Sequence, residues 1–147
     1  MDLSSCPLPT AELADWLVRP DCGATVVFTG TARDHAPGRD GVDLLHYEAY
    51  EAHAVGRIAD VAAEARRRWP SLGRVGILHR TGDVAVCEAA VVVGASSAHR
   101  EEAFATARFC IDAVKASVPI WKRERWSSGD DWGLEGAQLV TPDEVPS

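Results

Sequence analysis

An α+β fold, with a mostly antiparallel sheet and two main helices in two layers, is predicted by three observations. Residues 51–70 and 99–119 carry apolar side chains at helical spacing and stop at Pro70 and Pro119. Five shorter runs rich in Val, Thr, Ile and aromatic residues read as strands. Their order is strand, strand, helix, strand, strand, helix, strand, without the repeated strand-helix-strand units that build a parallel sheet.

In chain order, "TAELADWLV" places Leu13, Trp16 and Leu17 on one helical face behind Thr10 as N-cap, and predicts a short helix ending before Pro20. "GATVVFTGTAR", residues 23–33, is a buried strand that runs into "DHAPGRDG", a loop dense in Gly, Pro and Asp. "VDLLHYEAY" is the next strand, and the eight-residue loop predicts its antiparallel pairing with the first. "EAHAVGRIADVAAEARRRWP" is an amphipathic helix with Val55, Ile58, Ala59, Ala62, Ala65 and Trp69 inward and Arg57, Asp60, Glu64, Arg67 and Arg68 outward. "GRVGILHRTG" and "EAAVVVGASSA" are strands around a turn near Asp83. "HREEAFATARFCIDAVKASVP" is the second long helix, with Phe104, Ala107, Ile111 and Val114 as its inner face. "IWKRERW", residues 120–126, is the last strand before a Gly- and Asp-rich tail.

A chain of 147 residues fits one domain, 1–147, with a packed core. The 46% apolar and 25% charged shares are those of a globular protein. With 15 basic against 22 acidic residues the chain carries −7, which disfavours loose binding to nucleic acid or anionic lipid and leaves room for one concentrated cationic pocket. Cys6, Cys22, Cys87 and Cys110 are too scattered for a zinc or dithiol motif and read as cytosolic free thiols. The N-terminus has neither a positive leader nor a long apolar run, so a cytoplasmic location away from membranes is expected.

Four places invite chemistry. Arg33, Asp34 and His35 stand where the first strand leaves the core. "SSAHREE" is a strand-to-helix junction whose free N–H groups and helix dipole suit an anion, with His99 and Arg100 as added donors; Ser97 as a simple helix cap is the competing account. Lys115 lies at the edge of the apolar stripe, where a lysine either snorkels to water or serves a pocket. In "IWKRERW", strand alternation puts Ile120, Lys122, Glu124 and Trp126 on one face and Trp121, Arg123 and Arg125 on the other. A charge-protected edge strand is the bland account, and RNA stacking on the tryptophans is opposed by the overall acidity.

Taken together, "VVFTGTARDHAPG", "LHYEAY", "EARRRWP", "LGRVGILHRTGD", "VVVGASSAHREEAF" and "IDAVKASVPIWKRE" resemble, in order and spacing over residues 23–132, the large catalytic subunit of molybdopterin synthase, the MoaE family. The resemblance implies the alpha/beta-hammerhead form of the α+β fold and a sulfurtransferase of molybdenum-cofactor biosynthesis. It implies a central homodimer, each half receiving the Gly-Gly thiocarboxylate tail of a small ubiquitin-like subunit. The sulfur passes to cyclic pyranopterin monophosphate to form the dithiolene, and the large subunit itself needs no metal or other cofactor.

By motif, Lys115 of "DAVKASVP" matches the family's key catalytic lysine and Lys122 of "WKRE" a second one. Arg33, His99 and Arg100 match the pterin and phosphate pocket, with some of these supplied by a neighbouring protomer. A narrow apolar groove is expected for the tail, with Phe109, Ile120 and Trp121 as candidates. Thr31, Asp34 and Cys87 depart from the family's usual lysine, asparagine and glycine, and "RWSSGDDW" looks divergent. The alternative is a non-catalytic module that binds a phosphorylated ligand or scaffolds a partner on the same fold; it would tolerate loss of both lysines.

Overall fold

Residues 89–97, "AAVVVGASS", are buried along almost their whole length, as a central strand covered on both faces must be. The computed structural model describes residues 1–36, 39–126, 129–132 and 139–146. In chain order these form β1 (Asp2–Ser4), α1 (Thr10–Leu17), β2 (Ala24–Thr31), β3 (His35–Ala36), β4 (Arg39–Asp40), β5 (Val42–Ala49) and α2 (Glu51–Arg68). There follow β6 (Leu72–Arg80), β7 (Gly82–Ala85), β8 (Ala89–Ser97), α3 (Arg100–Ser117), β9 (Ile120–Trp126), β10 (Gly129–Trp132) and a 3-10 turn at Pro142–Glu144.

The α+β class and the mainly antiparallel pairing hold, but the strands divide into two four-stranded sheets, β1-β6-β8-β2 and β10-β9-β5-β7, beside the short antiparallel pair β3-β4. The first two long strands do not pair: β2 lies against β8, with Ala24 opposite Ser97, while β5 lies between β7 and β9. Loop length permits a hairpin, yet β2 has the more apolar β8 to cover, and burial decides. The residues around Asp83 are not the turn between β6 and β8 but a strand, β7, that crosses to the second sheet. Strand β1 pairs parallel to β6 and β10 pairs with β9, neither foreseen. Residues 37–38 of the predicted loop, with 127–128 and 133–138 of the predicted tail, lie outside the described residues.

Alternation along β6 and β8 builds the core. Val75, Ile77, Val91, Val93 and Ala95 face α2 and α3, where they meet Ile58, Val61, Ala65, Phe109, Ala113 and Val114. The opposite face carries α1. There Gly76 and Gly94 are register partners, and a Cβ on them would fall 2.5 Å from Leu13 Cδ1 and Leu17 Cδ1 respectively. The paired glycines form the trough into which α1 sets its two buried leucines.

The helix stripes are shifted from their sequence readings. Val55 and Ala59 of α2 are exposed, while Ala54 and Val61 are buried. Glu64 is also buried, because Arg67 and Arg68 bind its two oxygens at 2.6–2.7 Å. Phe104 is 63% exposed and shares the outer face of α3 with Arg108, Asp112 and Lys115. The small residues Ala103, Ala107, Cys110 and Ala113 set the phase of α3, since they allow the closest approach to β8 and β2. Helix α1 begins at Thr10 itself, which makes Pro9 the N-cap.

Candidate functional site

Helix α3 follows β8 through two residues and folds back over β8 and β2. That reversal sends Lys115 to one end of the sheet and leaves His99 and Arg100 at the other. Arg100 and Lys115 are separated by fifteen helical residues, about 22 Å along the axis. Arg33 follows the end of β2 that pairs with the start of β8, Thr31 opposite Ala89. It therefore stands at the Lys115 end, and Lys122 follows two residues into β9. One protomer thus collects Arg33, Lys115 and Lys122 toward one end and His99 with Arg100 at the far end.

Arg33 is exposed, but the backbone before it is fixed. Ala32 is buried, its N–H donates to the Glu88 carbonyl at 2.9 Å, and its carbonyl accepts the Cys87 N–H at 2.8 Å. Cys87 sits at φ 73, the left-handed region that suits the glycine expected there. Asp34 does not compete for Arg33: its carboxylate is 2.8 Å from His35 Nδ1, and that hydrogen bond holds its pKa below the ordinary value.

Lys115 is exposed in the last turn of α3, where its charge complements the helix dipole. Lys122 is half-buried, and its Nζ lies 2.8 Å from Glu124 Oε1. The burial along β9 reproduces the alternation: Ile120, Lys122, Glu124 and Trp126 turn inward, and Trp121, Arg123 and Arg125 outward. Strand β9 is interior to its sheet, between β10 and β5, so its charges are not edge protection. Glu124, 5% exposed, fixes Lys122 and was not singled out from the sequence, although the period-two pattern placed the two on one face.

At the far end, His99 is the N-cap of α3 and Arg100 its first residue, both exposed. Among the described residues no side chain caps this helix; Ser97, the cap of the competing account, gives its hydroxyl to Glu102 Oε2 at 2.6 Å instead. The first-turn N–H groups stay available to an anion, beside the side-chain donors of His99 and Arg100.

Of the tail-groove candidates, Phe109 is a core residue, 1% exposed, packed on Trp69 with the Arg68 guanidinium 4.2 Å from its ring centre. Ile120 is packed against the core and Trp121 is exposed. A cavity of about 460 Å³ opens just beyond Lys115, lined by Tyr50, His53, Arg57, Asp60, Ser117 and Pro119 among others. No sequence pattern pointed to it, because its walls come from the start of α2 and the end of α3, brought together only by packing.

Residues 3–117 match the family described as MoaE protein. A molybdopterin synthase catalytic subunit of Culex quinquefasciatus is 44% identical over 122 residues, 83% of this chain and 77% of that one. The crystal structure of molybdopterin synthase from Staphylococcus aureus superposes with a TM-score of 0.84 at 32% identity, covering 90% of this chain and 95% of the other. The complex of subunits 1 and 2 of molybdopterin-converting factor from Helicobacter pylori shares the fold, TM-score 0.76 at 20% identity, covering 93% and 92%. The motif blocks, the two-sheet topology and these likenesses agree, and the chain belongs to the MoaE family.

Proposed function

We infer that this chain is the catalytic large subunit of a molybdopterin synthase, which takes sulfur from the C-terminal thiocarboxylate of a small ubiquitin-like subunit. The acceptor is cyclic pyranopterin monophosphate, and two transfers form the dithiolene. What supports this most is the 44% identity to a molybdopterin synthase catalytic subunit across most of both chains. The partners are that small subunit and a second copy of the large one.

The site reading goes further. Lys115 and Lys122 guide the anionic thiocarboxylate and stabilise charge at the carbon under attack, while Arg33, His99 and Arg100 hold the phosphate and pterin. Such preorganised donors act where charge develops. Glu124 holds the Lys122 ammonium inward, so its charge is placed before substrate arrives. The separation of about 22 Å between Arg100 and Lys115 means that a single protomer cannot close this pocket. A two-fold pairing that sets one α3 antiparallel to its mate brings His99 and Arg100 of one copy to Arg33 and Lys115 of the other, and makes two equal sites.

Among the described residues no helix is long and apolar enough to cross a membrane. Four free cysteines, two of them exposed, suit the reducing cytoplasm we assign to the protein.

The test is dithiolene formation from purified protein, thiocarboxylated small subunit and cyclic pyranopterin monophosphate, with Lys115→Ala alongside. Loss of about 10²–10³ in rate at unchanged fold is expected. Near wild-type turnover by Lys115→Ala removes the lysine from the mechanism, and no product from the wild type rejects the activity.

A further inference from the structure

Arg80, the last residue of β6, is 5% exposed, and its guanidinium is incompletely satisfied. Nη2 donates to the Asp83 carbonyl at 2.7 Å, but Nε and Nη1 find no hydrogen-bond acceptor among the described residues. Its ion-pair partner is Glu88, whose Oε2 lies 3.7 Å from Nη1 and also accepts the Ala85 N–H at 3.1 Å. A buried charge with unmet donors is a poor way to stabilise a fold, since an apolar residue of similar volume does as well or better. Its placement, however, is informative. Arg80 holds a carbonyl within β7, that of Asp83, and the carboxylate of Glu88, the last residue before β8. The 83–88 segment clasps Ala32 by two backbone hydrogen bonds, through Cys87 N–H and the Glu88 carbonyl. Arg33 is the next residue.

We propose that Arg80 and Glu88 are positioning residues for Arg33: they fix the 83–88 segment, the segment fixes Ala32, and Arg33 is thereby aimed at the phosphorylated pterin. The inference rests on Arg33 as a substrate contact. Glu88 is the cleaner place to test it, because its side chain is 42% exposed and Glu88→Gln keeps the shape and the acceptor for Ala85 while removing the charge.

Steady-state kinetics with cyclic pyranopterin monophosphate varied, and thiocarboxylated small subunit saturating, compare wild type, Glu88→Gln, Arg33→Ala and the double variant. Glu88→Gln is expected to raise KM for the pterin about tenfold with kcat within about twofold. The double variant is expected to match Arg33→Ala alone, because the effect passes through Arg33. Arg80→Lys, which keeps the charge but not the two-ended grip, is expected to raise KM similarly in protein that melts cooperatively. A wild-type KM in Glu88→Gln or Arg80→Lys while Arg33→Ala raises it overturns the positioning role and leaves the site intact. A full additional rise on top of Arg33→Ala overturns it as well. An unchanged KM in Arg33→Ala removes the substrate contact itself, and the inference with it.

Discussion

Lys122 and Glu124 occupy alternate positions on one inward face of β9, and their 2.8 Å contact couples a half-buried ammonium to a buried carboxylate. Removing the negative partner leaves the ammonium free to turn toward solvent. Glu124→Gln is therefore expected to lower kcat about 10²-fold while the protein stays folded; turnover like the wild type's would show that Lys122 needs no anchor. Cys87 shows the opposite case, a residue at odds with its backbone. A side chain at φ 73 costs about 1–2 kcal/mol relative to ordinary backbone, and glycine escapes that cost. Cys87→Gly should raise Tm by about 3 °C, a value in keeping with about 1 kcal/mol in a chain of this size. A thermal melt that stays level or falls would show the turn to be unstrained. Both residues could be found in the sequence, Glu124 through strand period and Cys87 through the family's glycine, yet only coordinates supply the contact and the φ angle.

Helix α1 depends on two absent side chains. With Leu13 and Leu17 seated over Gly76 and Gly94, a methyl group at either glycine collides with a leucine at 2.5 Å. Gly94→Ala should destabilise by about 1–3 kcal/mol, read as a lower denaturant midpoint; an unchanged midpoint would mean that α1 can lift from the sheet at no cost. Helix α2 carries a pH signature. Hydrogen bonds from Arg67, then Arg68, hold the Glu64 carboxyl at about 2, well under its ordinary 4.5. A carboxyl depressed in this way contributes stability that is present above pH 4.5 and lost as pH falls through about 2. Glu64→Gln should flatten the stability profile across that window, and a variant that keeps the wild-type slope there would assign acid sensitivity to other groups. The helices themselves were legible from their period and their stopping prolines. Their rotational phase was not, because packing of small residues against β8, rather than the largest apolar side chain, turned Phe104 outward.

At the scale of the whole molecule, the length of α3 is the decisive dimension. If His99 and Arg100 of one copy complete the site of the other, mixing Lys115→Ala with Arg100→Ala protein restores activity. In a random mixture half the dimers are mixed and one of their two sites is intact, so about a quarter of wild-type activity is expected after subunit exchange. A mixture no more active than either variant alone would place every site residue within one protomer. The sequence by itself determined the α+β class, the helices, the two alternating faces of β9 and the family, because period, turn residues and motif spacing are local properties that survive without contacts. Tertiary structure alone decided that β2 and β5 go to different sheets, that Arg80 and Glu88 brace the backbone before Arg33, and that the candidate site residues divide between two ends of α3. Those outcomes depend on which apolar surfaces bury each other and where the chain turns back, and such long-range competition leaves no periodic trace in the order of residues.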